Sequence, residues 1–349
     1  MSKTESLEFK GMAILMMLWL HLFSMQDVVG LYGIADLSFF NGKPLCVVLT
    51  RLCSCCVPLY IFLGGYGLTQ VYTSRGTGHV GRRALALMTE LWLVCLVVVR
   101  IGAVLEPEEY PVSAEVLLGN VLGIHCSYNG TWWFMLPYAM VTLVSPWLVR
   151  QFYRGSRRTV WWLLAACLSL KLAEHLTADK FDTSPHLMVN LIGVLLHAAG
   201  MGLMFGVGVL FARGRLFQAS ERWLGGVRHR ALAFLGLLCM LLLAKMLMGR
   251  SGLLNLPYVP LFLLLTHNIR LGAWLSGAFA FLGRQSSMMW LWHAFFIQMP
   301  FGLTVYRLHY PPLIFLALVG LSLAVALALT PVYRALRNRI TKSPALLRP

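Results

Sequence analysis

The sequence is short of charge, and shortest of acid. Only 12% of its 349 residues are charged, against about a quarter in an ordinary soluble domain, and 13 Asp and Glu stand against 29 Lys and Arg. No stretch between the apolar runs is long enough to build a core of its own, which excludes a soluble domain carried on an anchor. The cysteines form no ligand set. Cys53 to Cys56 has the C-x-x-C form, but no second pair and no histidine cluster accompanies it. Cys46, Cys53, Cys55, Cys56, Cys95, Cys167 and Cys239 fall in apolar runs, where they read as small packing residues, and no metal is expected. No small-x-small cleavage site follows the first apolar run, which continues through Ser24 to Asp27, so that run reads as a retained helix. Internal repeats and low-complexity tracts are also missing. The net charge of +16 comes without the aromatic interleaving of a nucleic-acid groove, so no nucleic-acid partner is expected.

What is present is apolar. Hydrophobic residues make up 58% of the chain, and runs of about 20 recur along its length, the signature of an all-α, polytopic transmembrane helical bundle. The pattern predicts about ten helices, over 11–29, 44–71, 84–105, 132–149, 159–173, 187–212, 231–248, 256–266, 286–303 and 311–332. The second is long enough to be tilted, or broken at Pro58 or at Gly64 and Gly65. Residues 116–124 are apolar but too short to span, and 271–282 is only weakly apolar. Basic residues gather in alternate loops: Arg75, Arg82 and Arg83; Arg150, Arg154, Arg157 and Arg158; Arg213 through Arg228 and Arg230; and a tail from Arg334 to Arg348. Glu106, Glu108, Glu109 and Glu115 lie in a loop between them. The positive-inside rule then puts both termini in the cytoplasm. The expectation is one membrane-embedded domain over 1–349, with a basic cytoplasmic tail at 333–349, in the cytoplasmic (inner) membrane.

Ionisable residues inside spans are costly in lipid and mark functional sites. Here they are His21, Arg51, Glu90, Arg100, His197, Lys245 and His293, all expected to face the bundle interior. Glu90 has Arg51 or Arg100 as possible ion-pair partners. Lys10 and His21 are the most suggestive pair. Eleven helical steps come to about 20° past three full turns, so the two share a face, roughly 16 Å apart along the axis. With Lys10 at the cytoplasmic surface, His21 lies about half-way through a ~30 Å hydrocarbon layer. Imidazoles such as His21 and His293 exchange protons near neutral pH. Trp132 and Trp133, at the outer end of a helix, suit an interfacial belt or a sugar platform.

Four blocks carry a family resemblance. They are FKGMAILMMLWLHLF from Phe9, VPLYIFLGGYGL from Val57, NGTWWFMLPYAMVTLVSPWL from Asn129 and LGRQSSMMWLWHAFF from Leu282. The first resembles a basic residue, ten residues, then histidine. The second resembles a proline-aromatic-glycine second helix. The third resembles a tryptophan-led middle helix ending in proline. The last resembles glycine-x-x-serine running to aromatic-leucine-x-histidine. In this order, on a ten-helix pattern, the set is similar to the bacterial membrane-bound acyltransferase-3 family.

The resemblance implies transfer of an acyl group, most often acetyl from cytoplasmic acetyl-CoA, to a glycan or lipid-linked sugar outside. No bound cofactor is implied: acyl-CoA is a substrate, and the other partners are the sugar acceptor and membrane lipid. His21 matches the family's catalytic histidine. Lys10 matches the basic residue tied to the donor, usually arginine; lysine keeps the charge but loses the planar fork. The family often has two arginines separated by two residues after the second helix. Arg82 and Arg83 are adjacent instead, and are the candidates to hold donor phosphates with Lys10. Glu90 and His293 are candidates to orient His21 or relay its proton. The competing expectation is a proton-coupled transporter or glycan flippase built on the same buried histidines.

Overall fold

A computed structural model describes residues 1–24, 27–37, 42–182, 187–223, 230–250, 252–269, 271–298 and 305–342. Arg228 of the expected basic loops and Arg348 of the expected tail lie outside these residues. The chain is 84% helical with no strand among the described residues. The helices, in chain order, are α1 (Lys3–Phe23), α2 (Val28–Leu31), α3 (Leu45–Cys53), α4 (Cys56–Arg75), α5 (Val80–Leu105), α6 (Ala114–Leu122), α7 (Met135–Arg154), α8 (Arg157–Asp182), α9 (Leu187–Arg213), α10 (Leu216–Trp223), α11 (Arg230–Met248), α12 (Asn255–Ile269), α13 (Ala273–His293) and α14 (Pro311–Lys342).

Among the described residues seven helical spans are long and apolar enough to cross a membrane, not ten. The difference has a physical source. Helix α12 has only 15 residues. Helices α8 and α13 have the length, but carry Lys171, Glu174 and His175 or Arg284, Gln285 and Ser286 in place of apolar residues. The weakly apolar stretch 271–282 is the first half of α13, which starts 13 residues before the expected helix and ends at His293. Its expected last residues, 299–303, lie outside those described.

The second span does break, but at Ser54 and Cys55. Ser54 Oγ donates to Arg51 O at 2.8 Å and Cys55 Sγ to Leu52 O at 3.2 Å, so side chains close the end of α3. Pro58 is the third residue of α4, where its missing N–H would have had no partner, so it bends nothing. Helix α1 begins earlier than expected because Ser2 and Glu5 form a capping box, each side chain bonded to the other's backbone N–H. Lys10 therefore sits two turns inside the helix, not at its start. Residues 116–124 form most of α6, nine residues long, capped by Ser113 and stopped by Gly123 at φ 72°.

Contacts divide the chain into two compact units, each drawn from both ends of the sequence. One comprises Met1–Gly67 and Val207–Ala326, the other Leu68–Gly206 and Leu327–Pro349. The first is organised around α1 and α13. The second packs α5 against α7, with Trp92 of α5 donating to Val121 O of α6 at 2.9 Å.

Candidate functional site

The first unit is built on a close approach of two helices, and glycine makes it possible. A Cβ placed on Gly11 would lie 2.0 Å from Phe279 O, and one on Gly283 would lie 1.9 Å from Leu7 O. Without side chains at these points the backbones of α1 and α13 touch, as small residues allow in membrane helix pairs. Glu8 Oε1 also accepts from Ser276 Oγ at 2.5 Å. The Cβ position of Gly283 also lies 3.1 Å from Gly11 N, and His21 is bonded to His293; both pairs have the same offset in sequence, so the two helices run parallel. Ten residues beyond Gly11 is His21, and ten beyond Gly283 is His293. Parallel packing in this register brings the two imidazoles together at their edges.

The ring planes lie 14° from parallel with centroids 4.7 Å apart, so the rings meet edge to edge. His21 Nδ1 is hydrogen-bonded to His293 Nε2. His293 is fully buried, and its Nδ1 is 2.5 Å from Trp290 O. A carbonyl only accepts, so His293 Nδ1 carries the proton and donates it. The Nε2 of neutral His293 is then an acceptor, and His21 Nδ1–H must be its donor. The remaining lone pair of the pair is on His21 Nε2. This directed chain, Trp290 O to His293 to His21, fixes ring and tautomer as a carboxylate does behind a catalytic histidine. His21 itself keeps part of its surface open. Glu5 at the start of α1 is bonded to His267 of α12, and Tyr60 Oη donates to Lys10 O at 3.1 Å, so α1 is held along its length.

Of the residues singled out in the sequence, His21, His293 and Lys10 belong to this first unit. Arg82, Arg83, Glu90, Trp132 and Trp133 belong to the second. Arg82 and Arg83 lie in the first turn of α5, Arg82 half-buried and Arg83 exposed. Glu90 is buried within electrostatic reach of Tyr333, whose hydroxyl donates to Ala86 O at 3.1 Å. Arg100, expected to face inward, is exposed. Trp132 is completely buried and packs as core, so of the two tryptophans only Trp133, 37% exposed, presents a face. Asn129 is buried and caps the short turn that leads into the two tryptophans: its Oδ1 accepts from Thr131 N at 2.9 Å.

Sequence reasoning passed over Arg150 and Arg154 as a topology signal. In the second unit they line a cavity of about 440 Å3 with Tyr72, Thr73, Trp147 and Tyr153. Pro146 shapes it. Proline leaves Thr142 O without its helical partner, and Ser145 Oγ donates to that oxygen at 2.6 Å. Ser145 in turn accepts from Tyr72 Oη at 2.5 Å, which ties the end of α4 to the kinked α7. Two guanidiniums four residues apart beside aromatic rings suit a nucleotide phosphate. The signal was legible as Arg150 and Arg154 at i, i+4 on one helical face.

Comparison with curated proteins and with solved structures found no match. A family described as the acyltransferase domain does match, over residues 7–331, which takes in most of α1, both histidines and all four sequence blocks. By that match over most of its length the chain belongs to the acyltransferase-3 family, as a multi-pass, membrane-embedded acyltransferase.

Proposed function

We propose that the protein is an O-acyltransferase that moves an acyl group, acetyl from cytoplasmic acetyl-CoA, to a hydroxyl of a cell-surface glycan or lipid-linked sugar. It acts as one membrane-embedded domain over residues 1–349 in the cytoplasmic membrane, with both termini and the 333–349 tail in the cytoplasm. The observation that carries this reading is the directed bond chain ending on the His21 Nε2 lone pair.

That lone pair takes the proton of the acceptor hydroxyl while the hydroxyl oxygen attacks the thioester carbonyl. The new C–O bond forms, the C–S bond breaks, and the leaving thiolate takes the proton back from the imidazolium. His293 accepts from Nδ1–H throughout and holds the ring in place. If the acyl group first passes through the enzyme, Nε2 is again the reacting atom. On the donor side Lys10, Arg82, Arg83 and the Arg150/Arg154 cavity supply cations for the CoA phosphates.

The test is acetyl-CoA consumption by the purified protein in lipid nanodiscs, with mass spectrometry of the acceptor for an added acetyl group. Glycan uptake with no consumption of CoA overturns the reading in favour of a transporter. Two finer outcomes follow. His293→Gln keeps an oxygen that can accept from His21, whereas His293→Leu leaves a donor facing an apolar wall. The leucine variant is expected to lose about 10²-fold in kcat, with unchanged KM for acetyl-CoA and substantial recovery in the glutamine variant. Arg154→Ala or Arg150→Ala is expected to raise KM for acetyl-CoA about tenfold, the scale of one charge-assisted hydrogen bond of ~1.5 kcal/mol, and to leave kcat nearly unchanged.

A further inference from the structure

The first unit holds three cations that the proposed reaction does not use: Arg51 on α3, Lys245 near the end of α11 and Arg250 just beyond it. Lys245 is the deep one. Its neighbours Leu243, Leu247 and Met248 are exposed, as lipid-facing residues are, whereas Lys245 turns toward α12 and the end of α3 and is 3% exposed. Its ammonium stands 5.6 Å from the centre of the Tyr258 ring and within electrostatic reach of Cys55. Cys55 Sγ lies 3.9 Å from Met16 Sδ, so the cluster lies against the body of α1 and not at its ends. Among the described residues Lys245 Nζ has no hydrogen-bond partner, and neither have Tyr258 Oη and Asn255 Oδ1, two groups three residues apart on one face of α12. Both α12 residues are as buried as the lysine. Asn255 Nδ2 donates to Ser54 O at 3.1 Å, which fixes the amide so that Oδ1 is the atom left over.

No acid among the described residues balances these cations. Helices α3, α4, α11 and α12 contain no Asp or Glu. On α1, Glu5 is bonded to His267 and Glu8 to Ser276, and Asp36 is occupied by the N–H groups of Leu37 and Cys46 at the far end of α3. Arg51 Nη1 donates to Met246 O at 2.6 Å, and Arg250 donates to Thr50 Oγ1 and Ser24 O. These acceptors are neutral and leave both charges standing. Cys55 is no counter-ion either, because its thiol donates its proton to Leu52 O at 3.2 Å. A buried ammonium needs an opposite charge as well as an acceptor. Water meets the second need and not the first. The three unsatisfied atoms are closed to solvent, which excludes a nucleotide, a sugar or an acyl chain and leaves an ion of a few atoms. Sulfate brings two charges and four acceptor oxygens, more than one ammonium and one phenol satisfy.

We propose that Lys245 and Tyr258 bind one small monovalent anion of chloride size, an internal counter-ion that ties α11 to α12 and to the break between α3 and α4. Lys245 Nζ supplies the charge and an N–H, and Tyr258 Oη–H supplies a second donor. Asn255 Oδ1 is an acceptor and does not face the ion; it takes a hydrogen of one water that the ion retains. Exposed Arg250, half-buried Arg51 and buried Lys245 form a series of increasing depth, and the two guanidiniums are within electrostatic reach of each other. Such a run of one sign draws an anion inward. The site is separate from the histidine pair and does not rest on the acyltransferase reading.

The full chain in nanodiscs is unfolded by heat in sodium chloride, sodium gluconate and sodium sulfate at one ionic strength, and chloride NMR line widths read binding directly. Chloride is expected to raise the unfolding temperature by a few degrees and to saturate, as a ligand of the folded state does. Bromide replaces it; gluconate and sulfate do not. Lys245→Met removes both the temperature shift and the excess line width. Tyr258→Phe keeps the ring, loses the hydroxyl and weakens chloride about tenfold, the scale of one hydrogen bond to a charged group. Lys171→Met is the control: Lys171 has Glu174 at 2.7 Å as its counter-ion, so that variant keeps the chloride response. Equal stabilisation by the three salts, no excess chloride line width in the wild-type protein, or an unchanged chloride response in Lys245→Met each overturns the proposal. If Lys245→Met fails to insert, Tyr258→Phe decides, and an unchanged chloride affinity there overturns it.

Discussion

His21→Ala is expected to lower acyl transfer by about 10²–10⁴-fold, the usual share of a positioned general base, with acetyl-CoA binding intact. The substitution removes the only group in the histidine pair whose lone pair is left unspent. It does not remove the ammonium and guanidinium groups proposed for the donor. It also leaves a second signature. His293 Nε2 is buried without exposure and accepts from His21 Nδ1. Losing its donor strands a buried acceptor, at a cost of ~1–3 kcal/mol. The variant should therefore unfold at a measurably lower temperature, and His21→Ala with His293→Leu should recover part of that loss while staying inactive. A variant with normal stability and residual activity above one-tenth would remove His21 from the reaction. Activity and thermal unfolding in the same nanodisc preparation decide between these outcomes.

The catalytic candidate was legible in the sequence because it is local. The spacing of Lys10 and His21 follows from helix geometry alone, and the depth of His21 from rise per residue. Its partner was only half legible. The glycine-x-x-serine block from Gly283 ended on a histidine, but nothing in that block said which helix it packs against or in which direction. That information is tertiary and depends on Gly11 meeting Phe279 O and Gly283 meeting Leu7 O. Helix α13 was also masked by its own composition: Arg284, Gln285 and Ser286 depress its apolar signal, yet Gln285 and Ser286 are buried. Hydropathy reads such residues as exposure when they are in fact packed against other protein.

Neighbouring residues show the same limit at finer grain. Trp132 and Trp133 are alike in sequence, and the short 3-10 turn over Gly130–Phe134 turns one inward and the other out. Pro58 looked like a break and is absorbed in the first turn of α4. Ser54 and Cys55, which carry no strong breaker signal, end α3 through their own side-chain bonds. Where a feature depended on which face met which neighbour, composition alone was silent.

The close pair of α1 and α13 yields the other large expected effect. Gly283→Val should abolish transfer although it lies about 15 Å along the helix from His293 at 1.5 Å per residue. A Cβ at 283 would overlap Leu7 O, and that oxygen is backbone, so no side-chain rotation relieves the clash. Helix α1 or α13 must move outward by at least the missing contact distance. The His21–His293 bond cannot absorb such a shift, since it joins two ring nitrogens directly and a displacement of either helix parts them. Overpacking of this kind costs ~1–3 kcal/mol, so the protein should remain inserted with a lowered unfolding temperature. Gly11→Val meets Phe279 O and should act in the same way. Gly277 of α13 provides the control. A Cβ there meets nothing within 4 Å, and Gly277→Ala should leave both activity and stability nearly unchanged. If Gly283→Val keeps wild-type kcat, the histidine pair does not depend on helix contact, and the register argument for the site fails. If it loses activity while still binding acetyl-CoA, the loss lies in the alignment of His21 with His293 and not in the donor site.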